Sequence, residues 1–390
     1  MNTNVDVVIV GGGLVGATLA ALLASKTALS IAIIDKQTLP QYTPPDHRVS
    51  AVVPSSIQLF KTINAWGAMQ AMSVSPYERM AVWDGQSSGY VSFDAPKQLG
   101  FIIENSLMQV AVHEVLAQQA SVQRFMAVEP ATYETTAEGV AIQLKNGDCI
   151  TAKLAVAADG AHSWLRQAAG IALKQTPSED AAIVATVTTE KPHEATARQI
   201  FLKTGPLAFL PLTHTHTSSI VWSLPNALAE SYLSLDDTAF AKVLAAAFEH
   251  RLGAVLSVTS RHRLPLQPQQ ALAYVQPGLA LVGDAAHTMH PLAGLGVNLG
   301  LMDAASLADV LMKALKAGEP IGDYRVLRRY ARWRAAENLP ILTGVDAIKR
   351  CFALDQPAFS VLRGLGMTLT ERCTWVKKAF IQIASLNYPR

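Results

Sequence analysis

The 390-residue chain is 50% hydrophobic and 16% charged, against about 25% charged in an average soluble domain, which excludes a peptide, a disulfide scaffold and a disordered chain. At about 150 residues per domain the length makes two or three domains, or two interleaved lobes. The 32 basic and 30 acidic residues leave +2, no global reason to bind nucleic acid, yet residues 325–390 hold 12 Lys or Arg against four acids, a local +8 that leaves −6 on residues 1–324.

Residues 5–10 form an apolar β-branched run, Gly11, Gly12 and Gly13 break it, and 17–24 resume with strong helix formers. A second apolar run, 29–34, ends in Asp35 and completes a βαβ unit. The uncharged stretch 7–25 resembles a signal peptide or membrane span only superficially, because the glycines interrupt it and no basic segment precedes it. Between 75 and 105 the alternation of Met80, Val82, Trp83, Val91 and Phe93, punctuated by Gly85, Gly89 and Pro96, predicts antiparallel strands, as does 181–224. If the two blocks pair, they form a second sheet that is discontinuous in sequence.

A helix is predicted over 105–119, with apolar Leu107, Val110, Val112 and Leu116. Buried strands at 154–158 and 279–282 end in Asp159-Gly160 and Gly283-Asp284, as expected of strand ends that line a nucleotide crevice. From 323 onward the pattern is helix after helix, with breaks near Pro340, Pro357 and 364–366. Three scattered cysteines, Cys149, Cys351 and Cys373, suit a reducing compartment and make the cytoplasm the expected location.

Gly11-Gly12-Gly13-Leu14-Val15-Gly16 is a GxGxxG between strand and helix. Gly11 suits the tight turn, Gly13 lets amides approach a pyrophosphate, and Gly16 lets helix and strand pack closely. Asp35 lies 19 residues beyond Gly16, where its carboxylate can accept from an adenosine ribose. The fingerprint does not separate FAD from NAD. In 281–300, Asp284 can bind a hydroxyl of a cofactor chain, while Gly294, Gly296 and Asn298 open a helix whose amides favour partial negative charge; a helix start with ordinary capping has the same pattern. His287 and His290 stand three apart without a third ligand cluster, so a metal is not expected. His214 and His216 are expected on one face of a strand, and His262 in solvent. No nucleophile elbow or Walker-type loop occurs.

The GGGLVG stretch, the segment Ala158-Asp159-Gly160-Ala161-His162-Ser163-Trp164-Leu165-Arg166 and GDAAHTMHPLAGLGVNLG together resemble the single-component flavin aromatic hydroxylases, most of all those of ubiquinone biosynthesis. The resemblance extends over His47-Arg48-Val49-Ser50-Ala51, Val82-Trp83-Asp84, Ile103-Glu104-Asn105 and the Arg-rich segment 325–334. It implies an α/β fold: a Rossmann-type FAD-binding domain (1–74, 97–180 and 265–322), an interleaved antiparallel β-sheet substrate domain (75–96 and 181–264) and a helical C-terminal region (323–390). It also implies FAD contacts at Gly11, Gly13, Leu14, Val15, Gly16, Asp35 and Lys36 for the adenosine half, and at Arg48 and Gln109 near ribose and pyrophosphate. Asp159 is linked to FAD and NADPH together, Asp284 to the ribitol, and Pro291, Gly294, Leu295, Gly296, Val297 and Asn298 to the flavin ring.

Leu295 departs from the family's usual Gln between the two glycines; it matters little if the turn works through amides, and puts turnover in doubt if the Gln side chain orders the turn or substrate. The implied reaction uses NADPH (or NADH) to reduce FAD and O2 to form a flavin hydroperoxide that attacks a lipophilic phenol. With one dinucleotide fingerprint in the chain, the nicotinamide is expected to bind transiently. Arg325, Arg328, Arg329 and Arg332 fall on one helix side, a stripe for a membrane surface, for an acidic partner of a biosynthetic complex, or for acids of the rest of the chain. Three readings follow: a hydroxylase of ubiquinone precursors; a related flavoenzyme acting on a soluble aromatic or a prenyl chain; and a catalytically weak scaffold subunit.

Overall fold

The computed structural model describes residues 2–94, 98–176, 178–289, 294, 296–353 and 356–384. The β-branched run at the N-terminus is the strand Asn2–Val10, central in a sheet whose parallel strands lie in the order Val122–Met126, Ile31–Asp35, Asn2–Val10, Cys149–Ala157, Leu279–Leu281. By chain position this is 3-2-1-4-5, the doubly wound order whose crevice opens at the carboxyl ends of the strands, where the order reverses. Val7, Val8 and Ile9 are fully buried, as a strand covered on both faces requires. The helix Leu14–Lys26 packs against Asn105–Ala117 and Gly296–Lys316 on this sheet.

A second sheet takes Asp180–Thr189, Thr196–Leu202, Gly205–Pro211 and Thr217–Pro225 from one segment and Arg79–Asp84 and Tyr90–Asp94 from another, as the alternation predicts. Two details differ. Thr196–Leu202 pairs with Arg79–Asp84 in parallel, because no hairpin links these distant segments to impose the antiparallel sense. Ser75–Tyr77 and Gly100–Glu104 join Val49–Val52 in a separate three-stranded sheet.

The strands of the second sheet alternate between two unlike faces. Trp83, Ile200, Phe209, Ile220 and Trp222 form a core with Phe240, Leu244 and Phe248 beneath the helices Asn226–Leu233 and Asp237–Ala247. The residues between them, among them Ala182, Ala197, Ala208 and Val221, face the nucleotide-binding lobe across a cleft. His214 and His216 fall in the turn that joins Gly205–Pro211 to Thr217–Pro225, not on a strand, and His262 is half-buried with its ring 4.3 Å from that of His47.

The helix Tyr324–Ala353 runs through Pro340, and Pro357–Arg372 runs through Gly364 and Gly366, so the breaks expected there do not occur; the one at Pro357 does. A proline inside a helix costs about 3 kcal/mol, and contacts at both ends of the 30-residue helix offset it. Its first half donates Tyr330 OH to Leu281 O (2.7 Å), while its second half pairs Lys349 with Asp180 (2.7 Å) and stacks Phe352 on Phe201 (3.9 Å). The helix is thus a strut between the two large sheets. Gly364 lies where the helix Pro357–Arg372 crosses the hairpin closely: a Cβ at Gly89 would sit 3.0 Å from Gly364 Cα, and one at Gly364 would sit 3.0 Å from Ser87 Oγ.

Candidate functional site

The glycine turn has the backbone geometry its spacing predicts. Gly11 has φ +107° and a Cβ there would sit 2.3 Å from Ala158 O; one on Gly16 would sit 2.0 Å from Gly11 O. Gly13 is the N-cap of Leu14–Lys26, faces open space, and no side chain caps the helix, so the amides at its start are left for a ligand. Leu14 is core, and the Val15 side chain packs beneath Gly283 and Gly300; what these two offer a ligand is backbone.

Asp35 braces the turn: Oδ2 accepts from Gly12 N (2.6 Å) and Oδ1 from Gln37 N (2.8 Å), and each oxygen retains a lone pair. From below, His113 Nε2 donates to Gly12 O (2.7 Å), and burial lowers its pKa, keeping the ring neutral. Gly12, Gly13, Asp35, Ser106 and Gln109 line a pocket of about 520 Å³. Gln37 is common to it and to a cleft of about 700 Å³ that holds Lys36, Arg48, Asp159, Asp284, Gly294, Gly296 and Val297. Pro291, Leu295 and His290 lie outside the described residues.

The two acid loops of the cleft are tied together. Asp159 accepts from Ser163 Oγ and Leu165 N, and burial raises its pKa against those bonds. Buried Arg166 donates from Nη1 to Ala285 O (3.0 Å) and from Nη2 to Ala161 O (3.0 Å), joining the loop after Asp159 to the one after Asp284. Asp284 is exposed to the cleft yet recessed in it; desolvation raises its pKa against the opposing pull of His287 and Arg48.

Asn298 does not present its side chain to the cleft. Its Oδ1 accepts from Val53 N (3.1 Å) and Ser56 Oγ (2.9 Å) and its Nδ2 donates to Ala51 O (2.7 Å) and Gly294 O (3.2 Å), pinning the Gly294 turn to the strand Val49–Val52. At Gly294 the cleft meets a smaller pocket of about 100 Å³, lined by Val49, Ala51, Tyr77, Met80, Gln199 and Leu210.

A buried charge network lies behind Asp284. Asp303 Oδ2 accepts from Gly283 N (3.0 Å) and lies 2.7 Å from His287 Nε2, while Oδ1 accepts from Arg334 Nε (2.7 Å); Arg334 also donates to Asn338 Oδ1 (2.6 Å). Burial alone would raise the Asp303 carboxyl, but the adjoining His287 and Arg334 hold it at about 2. The residue pattern does not single out this network, although Asp303, alone in the apolar run 299–308, is the signal for it: an acid in such a run is buried only with a partner. His287 is thereby engaged with protein, and among the described residues no three metal-ligating side chains converge.

In the arginine stripe, Arg329 pairs with Glu319 (2.6 Å), Arg328 lies over the Tyr324 ring, and Arg325 and Arg332 are exposed; neighbouring Arg334 is the buried partner of Asp303. Farther along, Val361, Leu362, Leu365, Leu369 and Trp375 are exposed apolar side chains on the last two helices. No helix among the described residues is long and apolar enough to cross a membrane.

The uncapped helix start, the open Gly13 face and the continuous cleft from Asp35 to Gly294 fit FAD. The FAD binding domain family matches residues 4–338. The chain is 35% identical over 390 residues to 3-demethoxyubiquinol 3-hydroxylase of Escherichia coli K12, covering 98% of this chain and 99% of that one. It is 34% identical to ubiquinone biosynthesis monooxygenase COQ6, mitochondrial, of Xenopus tropicalis, covering 97% and 93%. In fold it is similar to p-nitrophenol 4-monooxygenase PnpA of Pseudomonas putida DLL-E4, with a TM-score of 0.80 at 16% identity over 98% of this chain and 97% of that one. The chain therefore belongs to the FAD-binding-domain family, among the FAD-dependent aromatic-ring monooxygenases that include the ubiquinone hydroxylases.

Proposed function

We propose that this protein hydroxylates the aromatic ring of a polyprenylated phenol in ubiquinone biosynthesis, with FAD resident and NAD(P)H and O2 as co-substrates. The observation that carries the reading is the junction at Gly294, where a long cleft of mixed polar and apolar lining meets a smaller, mostly apolar pocket, in a chain similar from end to end to two ubiquinone-pathway hydroxylases. Bound FAD supplies the passage of two electrons from NAD(P)H to O2, with one oxygen atom going to the ring and the other leaving as water.

The chain's own part is binding, orientation and exclusion of water. The amides of Leu14, Val15 and Gly16 receive the pyrophosphate, Asp35 and Gln109 the adenosine half, and Lys36 and Arg48 add positive charge along the cleft. Asp284 accepts from ribitol hydroxyls, the Asp159 loop forms the opposite wall, and the turn from Gly294 through Gly296 and Val297, pinned by Asn298, meets the flavin ring, as Pro291 and Leu295 also do in this reading. The aliphatic walls keep water from the reacting carbon.

The prenyl tail calls for a lipid phase, and the exposed face of Leu362, Leu365, Leu369 and Trp375, flanked by exposed Arg372 and Lys378, is the side offered to an anionic membrane surface. Co-flotation with anionic vesicles should fall on Leu365→Gln with Leu369→Gln; unchanged flotation refutes the membrane contact. The activity is tested by profiling prenylated phenols in aerobic cells lacking the gene, beside a complemented control. A precursor short of one hydroxyl should accumulate and its structure should identify the ring position. An unchanged profile, with no redundant hydroxylase present, overturns the assignment.

A further inference from the structure

The pocket beyond Gly294 is aliphatic except at Tyr77, Gln199 and Arg198. Gln199 and Tyr77 both line it, each is 7% exposed, and neither side chain has a hydrogen-bond partner among the described residues. Gln199 lies between Val82 and Ala208 in the sheet ladder, so its amide rises from a floor of small and branched side chains. Tyr77 comes from the separate three-stranded sheet, and burial pushes its hydroxyl up to about 12, so it is a neutral donor at physiological pH. Arg198 borders the same pocket, but its guanidinium is bound to His193 O (2.5 Å) and Glu194 Oε2 (3.3 Å). Gln199 and Tyr77 therefore turn their open hydrogen-bonding capacity toward the pocket, where a ligand can use it. A few polar groups set in an apolar pocket are what fix a ligand's orientation.

We infer that Gln199, with Tyr77, is a specificity determinant that hydrogen-bonds the ring oxygens of the phenol and so sets which ring carbon faces the Gly294 turn. Gln199 Nε2 donates to a hydroxyl or ether oxygen, its Oε1 accepts from a hydroxyl, and Tyr77 holds a second point across the pocket. Two polar points from two different sheets stop the ring from rotating in its plane, which aliphatic walls alone do not do. The inference rests on the phenol-hydroxylase reading and deepens it.

The test uses purified holoenzymes carrying Gln199→Leu and Tyr77→Phe, with FAD content and melting temperature matched to the parent. The probes are a phenol bearing a two-isoprene chain and the same compound without the ring hydroxyl. Three quantities are read: the dissociation constant of each probe, NAD(P)H oxidised per phenol hydroxylated, and the ring position of the product. Gln199→Leu should bind the phenol about tenfold more weakly and leave the deoxy compound unchanged. It should also raise NAD(P)H consumption without product or yield a mixture of ring positions. Tyr77→Phe should show the same pattern at about threefold. Equal losses for both probes would mark a packing role only and overturn the inference, as would parental affinity, coupling and ring position. A parent enzyme that holds FAD yet binds neither probe overturns the substrate reading itself, and this inference with it.

Discussion

The two ends of the cleft are made of different chemistry. At the dinucleotide end the groups left open are backbone amides at the uncapped start of Leu14–Lys26, and the nearby side chains leave them clear: a Cβ at Gly11 or Gly16 has no room, Leu14 is core, and Val15 packs beneath Gly283 and Gly300. At the ring end the backbone is consumed by the sheet ladder, and alternate side chains of several strands decide the shape. One end therefore tolerates no added carbon where the chain touches itself, and the other tolerates added carbon structurally but not functionally. Between them stands the loop of Gly283 and Asp284, held by Asp303 from behind.

That shared support predicts the largest effect. Arg334→Leu leaves the Asp303 carboxylate fully buried with half of its compensation gone, and removing one partner of such a pair costs about 3–5 kcal/mol. Denaturant unfolding should show that loss, with both ends failing together as weaker FAD retention and lower turnover. Adding Asp303→Leu to Arg334→Leu should recover part of the stability, since the isolated charge is then gone. Equal stability of Arg334→Leu and the parent would show that the network does not support the loop.

Acid titrates the same support. Asp303 is held at about 2, below its ordinary 3.8, so the native state binds the proton less tightly than the unfolded chain. Its contribution is therefore complete above pH 4 and is lost as the pH falls from about 4 to 2, about 2 kcal/mol in all. Unfolding free energies measured over that window should fall, and the fall should be smaller in Asp303→Asn, which no longer titrates there.

How much of this the sequence discloses differs between the two ends for the same physical reason. GGGLVG, Asp35, Asp159-Gly160 and Gly283-Asp284 are contiguous motifs whose residue types are imposed by local backbone geometry, so the Rossmann-type sheet and the strand ends that line its crevice were legible. Tyr77, Met80, Gln199, Ala208 and Leu210 come together only through pairing between segments more than 100 residues apart, one pairing of which is parallel, and nothing local marks them. Asn298 was expected against the flavin ring, but its engagement with Ala51, Val53 and Ser56 depends on a segment about 245 residues away that nothing local announces. The helix Tyr324–Ala353 through Pro340 and the helix Pro357–Arg372 through Gly364 show the complementary case, in which tertiary contacts override a local breaker.

The comparison is sharpest in a pair of single added side chains. Gly11→Ala forces an L-residue to φ +107° with its Cβ 2.3 Å from Ala158 O, a strain of about 1–3 kcal/mol that the chain relieves by opening the turn. Purified Gly11→Ala should therefore be colourless or nearly so, with an FAD dissociation constant raised at least a hundredfold. Ala208→Leu places its extra carbons in the open pocket, not in the core beneath Phe209 and Trp222, so stability should change by less than about 1 kcal/mol and FAD should be retained in full. The ring then cannot enter beside Gln199, and hydroxylation of the prenylated phenol should fall at least tenfold while NAD(P)H oxidation without product persists. The flavin content and the product-to-NAD(P)H ratio of the two variants separate the ends: if Ala208→Leu loses flavin, or Gly11→Ala keeps it, the backbone-built and side-chain-built halves are not independent.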